Sequence, residues 1–419
     1  MKKALVLALA VTVLAVFASC GAGEPYDPTS MGYSESTLNM DYSQYAGTTL
    51  QVFNWGYYIS DGSDGTINVN EEFEKLTGIN VEYTTYDSNE KMYAKLSGGG
   101  GDYDVVIPSD YMIGRLIEED YLAELNFDNI PNYRYISDAY KNTEYDPDNK
   151  FSVPYSVGMV GVIYNTSVVE GTPDSWSLMW DERYADKILN FGNSRDAFAT
   201  AQFCLGIDIN TTDKAEWDTA FDKLVEQKDI LQGYVMDEIF NKMESGEAAI
   251  APYYAGDFFT MYGNNDDLAF YYPKEGTNVF IDAACVLKNS DNIGAAELYI
   301  NFLMDPVIAQ ANAEYIYYAS PNTAVVENED YIEYLEELHP DAYDILYGID
   351  DGYNAVSFKN LDQSTKEYLN KKWDELRSDT SDGSDTSIFI ISGVVIAALL
   401  VFFIAKAFIK KKREADEEE

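Results

Sequence analysis

Apolar and polar positions change period several times along this chain. Residues 4–17 are apolar behind Lys2 and Lys3, and the run closes on Ala18-Ser19-Cys20-Gly21. A charged start, a short apolar centre and small residues at its end mark an export signal. Thr48–Trp55 is rich in strand formers, Asn80–Tyr86 alternates as a strand, and Tyr103–Pro108 reads as a short buried strand ending at Ser109. Between these strands, Phe73 and Leu76 fall at helical spacing, with Asn70 as cap and Gly78 as stop. Lys91–Leu96 reads as a second helix. This alternation predicts βαβ units and a largely parallel sheet. Ligands of such sheets sit beyond the carboxyl ends of strands, where Trp55–Tyr58 and Ser109–Tyr111 fall.

A second β-rich stretch starts at Ser152-Val153-Pro154-Tyr155 and continues through Val160–Asn165. Trp176–Trp180 and Thr212–Leu224 supply amphipathic helices of a second α/β unit. Gly98–Gly101 is a flexible loop rather than a phosphate cradle, since no Lys-Ser/Thr follows and Asp102 repels phosphate. At the far end, the apolar run Ile388–Ala405 is long enough for a short spanning helix. Lys406, Lys410, Lys411, Lys412 and Arg413 follow it, which places residues 406–419 in the cytoplasm and the body outside. Residues 379–387 read as a Ser/Asp/Thr tether, and residues 20–47 as a spacer.

Composition narrows the function. The chain has 419 residues, too many for one core, and 72 acidic against 28 basic side chains give a net charge of −44. Nucleic acid is a poor partner for such a surface, whereas cations are drawn to it. A 46% hydrophobic share excludes a disordered chain. His339 is the single histidine, so His-based catalysis and multi-His metal sites are disfavoured, and no cofactor or metal is expected. Cys20, Cys204 and Cys285 form neither a disulfide framework nor a zinc pattern. Ala18-Ser19-Cys20 resembles the lipobox of bacterial lipoproteins, which makes 1–19 the signal peptide and Cys20 the lipidated residue.

Ordered blocks then carry a resemblance. They are Phe53–Ile59, Tyr86–Glu90, Met92–Leu96, Tyr103–Ser109, Ser175-Trp176, Leu178–Trp180, Tyr272–Gly276, Ile300–Leu303 and Ser320-Pro321-Asn322. Together they resemble the spermidine/putrescine-binding proteins of ABC importers, over roughly residues 48–376. The resemblance implies an α/β, two-lobed type-II periplasmic-binding-protein fold with a hinge, here joined to the C-terminal transmembrane helix 388–405. It places lobe 1 at 48–155 and 274–318, and lobe 2 at 156–273 and 319–378. It also implies a non-enzymatic receptor at the cell membrane, its body on the extracellular or periplasmic face. That receptor binds polyamine between the lobes and delivers it to permease subunits.

Polyamine chemistry sets what the site needs. Putrescine carries two ammonium groups roughly 6 Å apart. Each needs carboxylates and further acceptors on leaving water, and the methylene stem needs apolar or aromatic walls. Carried over by position, the resemblance implies ligand-binding roles for Trp55, Tyr58, Ser109, Tyr111, Asp196, Tyr254, Asp257, Phe280, Asp282 and Tyr318. Asp196 and Asp282 would hold amines, and the aromatics would wall the stem. Tyr254 and Phe280 stand where Trp is frequent. Asn193 stands where spermidine-type members often have an acid, and Asp257 matches an acid of putrescine-type members, which weighs toward putrescine. Lys359 falls near a family glutamine and is expected to point away from a cation. Two rival readings remain: a type-II receptor for iron or sugar, and an anchored glycoside hydrolase using Asp196 and Asp282 as paired carboxylates.

Overall fold

The computed structural model describes residues 26–348 and 352–378. The signal peptide, Cys20, the tether 379–387, the run 388–405 and the tail 406–419 lie outside the described residues. Ten strands are present among the described residues: β1 (Thr49–Trp55), β2 (Asn80–Tyr86), β3 (Val105–Val106), β4 (Ser152–Asn165), β5 (Ile188–Phe191), β6 (Leu231–Val235), β7 (Ile250–Tyr254), β8 (Leu268–Tyr271), β9 (Thr277–Val286) and β10 (Ala355–Val356). The described residues divide into two compact units, one within 26–175 and Asp237–Asn360, the other within Trp176–Met236 and 361–378.

The first unit carries the sheet path β2-β1-β3-β9-β4-β7, with β8 on β4 and β10 on β9. β1 pairs parallel with β2 and β3, as the βαβ reading requires. The rest corrects the expectation of a largely parallel sheet. β9 runs antiparallel to both β3 and β4, and β4 runs antiparallel to β7 and β8. The cause is β4, a continuous 14-residue strand buried along its whole length. Its first half pairs with β9 and its second with β7 and β8, pairings between residues some hundred positions apart that no local pattern reveals.

Local chemistry explains the helix ends. The helix Val69–Thr77 starts at Asn68, not Asn70, because the Asn68 side chain accepts from Glu71 N. It stops at Gly78, whose φ of 72° only glycine adopts freely. Asp305 caps the helix Pro306–Ile316, with proline at the first helical position. Part of the segment read as a spacer is folded onto this unit. Tyr33 packs edge-on against Phe302, and Asp305 Oδ2 accepts from Ser34 N at 2.9 Å and from Thr37 Oγ1 at 2.6 Å.

The second unit contains the parallel pair β5–β6 and the helices Ser194–Leu205, Lys214–Gln227 and Gln363–Ser378. Phe198 and Trp217 meet at 5.5 Å, and Tyr234 packs on Trp373 at 5.3 Å. Trp176–Trp180, expected to be an amphipathic helix, is a single 3-10 turn. Among the described residues, Cys204 and Cys285 are not joined to each other by a disulfide.

One fold expectation is corrected for the described residues. No helix among the described residues is long and apolar enough to cross a membrane. The longest, Gln363–Ser378, has 16 residues and carries charge throughout, whereas a span needs about 20 apolar ones. The expected transmembrane helix is corrected to this extent: the described fold contains no spanning helix, and the run 388–405 itself lies outside the described residues.

Candidate functional site

The site of the first unit is assembled around β9. Alternation along the strand puts Phe280 and Asp282 on one face, opposite Gly158 and Ser156 of β4. Asp282 also bridges to Ser109, the residue that starts the helix Asp110–Glu118 beyond β3. Tyr58 arrives from the loop after β1, and its hydroxyl lies 2.6 Å from Asp282 Oδ2 and 3.0 Å from Ser156 Oγ. Asp282 is 3% exposed, and its Oδ1 has no hydrogen-bond partner among the described residues. Burial pushes this carboxyl up to about 6, while the Ser109 and Tyr58 hydroxyls pull it back down.

Aromatic rings enclose this acid. Tyr58 meets Tyr318 edge-on at 5.4 Å, Tyr318 meets Phe280 at 6.2 Å, and Phe280 meets Tyr254 edge-on at 5.5 Å. Tyr318 is aimed by its neighbour Tyr317, which ends the helix Pro306–Ile316 with a left-handed φ of 59°. Gly158 and Gly256 exist to admit these rings, since a Cβ at Gly158 would overlap Phe280 and one at Gly256 would overlap Tyr318.

A second carboxylate joins the same wall. Asp257 lies in the first turn of the helix Ala255–Asn264, which Tyr254 at the end of β7 leads into. Tyr318 Oη donates to Asp257 Oδ2 at 3.0 Å. The apolar surroundings push the Asp257 carboxyl up to about 7, although the side chain keeps some exposure. Two acids, each receiving a tyrosine hydroxyl, thus share one aromatic wall, a set suited to a molecule with cationic ends and an apolar middle.

The structure brings Tyr58, Ser109, Tyr254, Asp257, Phe280, Asp282 and Tyr318 together. Trp55 ends β1 but turns its indole toward Tyr86, 4.7 Å away, and donates Nε1–H to the Ile107 carbonyl at 2.9 Å. Tyr111 packs edge-on against Phe358 and donates to Glu90. Asp196 belongs to the second unit, where it lies in the first turn of Ser194–Leu205 and is buried. Asn193 caps that helix by accepting from Asp196 N at 2.9 Å, and its amide reaches Asp196 Oδ2 at 2.7 Å. Lys359 pairs with Glu144 at 2.7 Å. Among the described residues no group of three or more His, Cys, Asp or Glu is placed to hold a metal ion.

Sequence reasoning missed Tyr155 and Ser156. Tyr155 donates to the Tyr58 carbonyl at 2.7 Å, and Ser156 touches the Tyr58 hydroxyl. The available signal was weak: a polar residue inside a mainly apolar strand, opposite Asp282 only once β4 and β9 are paired.

The family of bacterial extracellular solute-binding proteins matches residues 103–339. The spermidine/putrescine-binding periplasmic protein of Salmonella typhimurium is 31% identical over 309 residues, covering 72% of this chain and 85% of the relative. A Listeria monocytogenes structure, solved as a candidate spermidine/putrescine ABC transporter, is 33% identical with a TM-score of 0.72 over 79% of this chain and 99% of its own. The spermidine/putrescine ABC transporter substrate-binding protein of Streptococcus pneumoniae is 29% identical with a TM-score of 0.65, over 79% of this chain and 99% of its own. The α/β, two-lobed binding-protein reading of the fold stands on this likeness. The chain belongs to the spermidine/putrescine-binding family of bacterial extracellular solute-binding proteins, a non-catalytic component of ABC transporters.

Proposed function

We propose that this chain captures a short polyamine, putrescine or spermidine, outside the cytoplasm and passes it to the permease of an ABC importer. The observation that carries the reading is Asp282, a buried carboxylate with one oxygen held by Tyr58 and the other open, set among the rings of Tyr58, Phe280 and Tyr318. An ammonium of the ligand supplies the missing partner of Oδ1, and the rings face its methylenes. Asp257 is proposed for a second amine, with Tyr254 beside it. Trp55, Ser109, Tyr111 and Asp196 are kept as proposed ligand residues of the same receptor.

Putrescine is the favoured ligand, because the second acid of the wall is Asp257 and Asn193 serves its own helix as a cap. Attachment to the membrane is proposed through a diacylated Cys20. A competition titration of the purified full-length chain with putrescine, spermidine, glycine betaine and ferric citrate tests the ligand class. Saturable binding of the first two alone supports the reading, and preference for either of the others overturns it.

A further inference from the structure

Behind the aromatic wall the first unit has a small, partly open cavity. Its volume is about 10 Å³, and Tyr155, Ser156, Asn312, Ile316, Tyr318 and Asn322 are among its lining residues. Asn312 is 3% exposed. Its Oδ1 accepts from Ser60 N at 2.9 Å, which fixes the amide's orientation and leaves Nδ2 as a buried donor without a partner among the described residues. A buried amide donor needs an acceptor. A donor facing a cavity repels an ammonium group and suits a neutral oxygen, and a space of this size takes one water.

Proton counting on the other side of the cavity gives the second half of the argument. Tyr58 has one hydroxyl proton, and its shorter contact, 2.6 Å, is to Asp282 Oδ2. The 3.0 Å contact between Tyr58 and Ser156 is then donated by Ser156, which leaves the Ser156 Oγ lone pairs available. We infer that the cavity is a binding site for one ordered water, which accepts from Asn312 Nδ2–H and donates to Ser156 Oγ. Hydrogen bonds then run in one direction from Asn312 through the water, Ser156 and Tyr58 to Asp282. Asn312 and Ser156 are positioning residues: the row holds Tyr58 as a donor to Oδ2 and keeps Oδ1 turned to the ligand. The coupling to affinity rests on the polyamine reading of Asp282, whereas the water site does not.

The test has two arms on the full-length chain. A ligand-free crystal structure at better than about 1.8 Å resolution reads the water directly. Density within about 2.7–3.2 Å of both Asn312 Nδ2 and Ser156 Oγ is the expected result; an empty cavity, or a water that misses Ser156, overturns the proposal whatever the ligand proves to be. The second arm measures putrescine affinity for Asn312→Leu, for Ala313→Val, which fills the cavity while sparing the Asn312–Ser60 bond, and for the double variant. Each single change is expected to weaken binding about 3- to 10-fold, and the double change no further, because both remove the same water. Additive losses would overturn the shared-water coupling. Failure of the wild type to bind any polyamine would count against the functional reading alone, since the density arm still decides the water.

Discussion

Tyr58 Oη lies 2.6 Å from Asp282 Oδ2, although the two residues are 224 positions apart in sequence. The bond commits one carboxylate oxygen and leaves the other buried without a hydrogen-bond partner among the described residues, the Ser109 hydroxyl being the other polar group that acts on this carboxyl. A buried charge in that state destabilises the ligand-free protein and is satisfied when a cation arrives. On the proposed assignment of Asp282 to the ligand site, the geometry that receives a cation also makes the empty receptor less stable than it would otherwise be.

Asp282→Asn follows directly. The amide oxygen can still accept from Tyr58 while the buried charge is gone. The ligand-free variant is expected to be more stable than wild type by about 1–2 kcal/mol near neutral pH, measured by denaturant unfolding. Lower stability of the variant would show that Asp282 is satisfied in the empty protein.

Acidity should act on stability and binding with opposite signs. Burial raises both carboxyls, Asp282 to about 6 and Asp257 to about 7, above their unfolded value of 3.8. Their contribution to folding stability is fully present below about pH 4 and is lost as pH rises through these values. Polyamine binding favours the ionised forms, so affinity should rise over the same interval and binding near pH 6.5 should release protons. Calorimetry in two buffers of different ionisation enthalpy reads the release. Proton uptake, or none, would contradict the assignment.

Close packing at the wall gives a separate prediction. Gly158→Ala would place a methyl against Phe280 and Tyr318. The displaced rings should cost about 1–3 kcal/mol of stability and weaken putrescine binding. Gly233→Ala, where nothing lies within 4 Å of the new methyl, should leave both nearly unchanged. Equal behaviour of the two variants in paired thermal melts and titrations would count against the packing argument.

The folded N-terminal segment can be tested through Thr37, which is fully buried and donates to Asp305 Oδ2 at 2.6 Å. Thr37→Ala removes that donor and the acceptor of Asn132 Nδ2. Stability should fall by about 1–3 kcal/mol, and protease cleavage between Tyr33 and Thr48 should quicken. A cleavage rate equal to wild type would show that the segment is not held by this bond.

Much of the first unit was legible because its signals are local. β1 and β2 follow from strand formers and alternation, and Gly78 stops its helix as the pattern implied. The cap moved from Asn70 to Asn68 because both residue types can cap and only geometry decides which amide is reached. The antiparallel β4–β9 pairing was invisible, since it joins residues with no shared local pattern. For the same reason Ser156 could not be read as a neighbour of Asp282. Tyr58, Phe280, Asp282 and Tyr318 were reached through the resemblance rather than through spacing. In a chain with 35 tyrosines, composition alone cannot distinguish a wall from a core. The contacts of Trp55 to Ile107 and of Tyr111 to Glu90 carried no signal in the sequence, because each depends on how distant segments pack.

The most direct measurement is isothermal titration of putrescine into the full-length wild type and the Asp282→Asn variant at neutral pH. Saturable binding by the wild type, weakened in the variant by about 2–5 kcal/mol, is the predicted result, since one ligand ammonium loses its counter-charge. Equal affinity in the two proteins would remove Asp282 from the site and contradict the account at its centre.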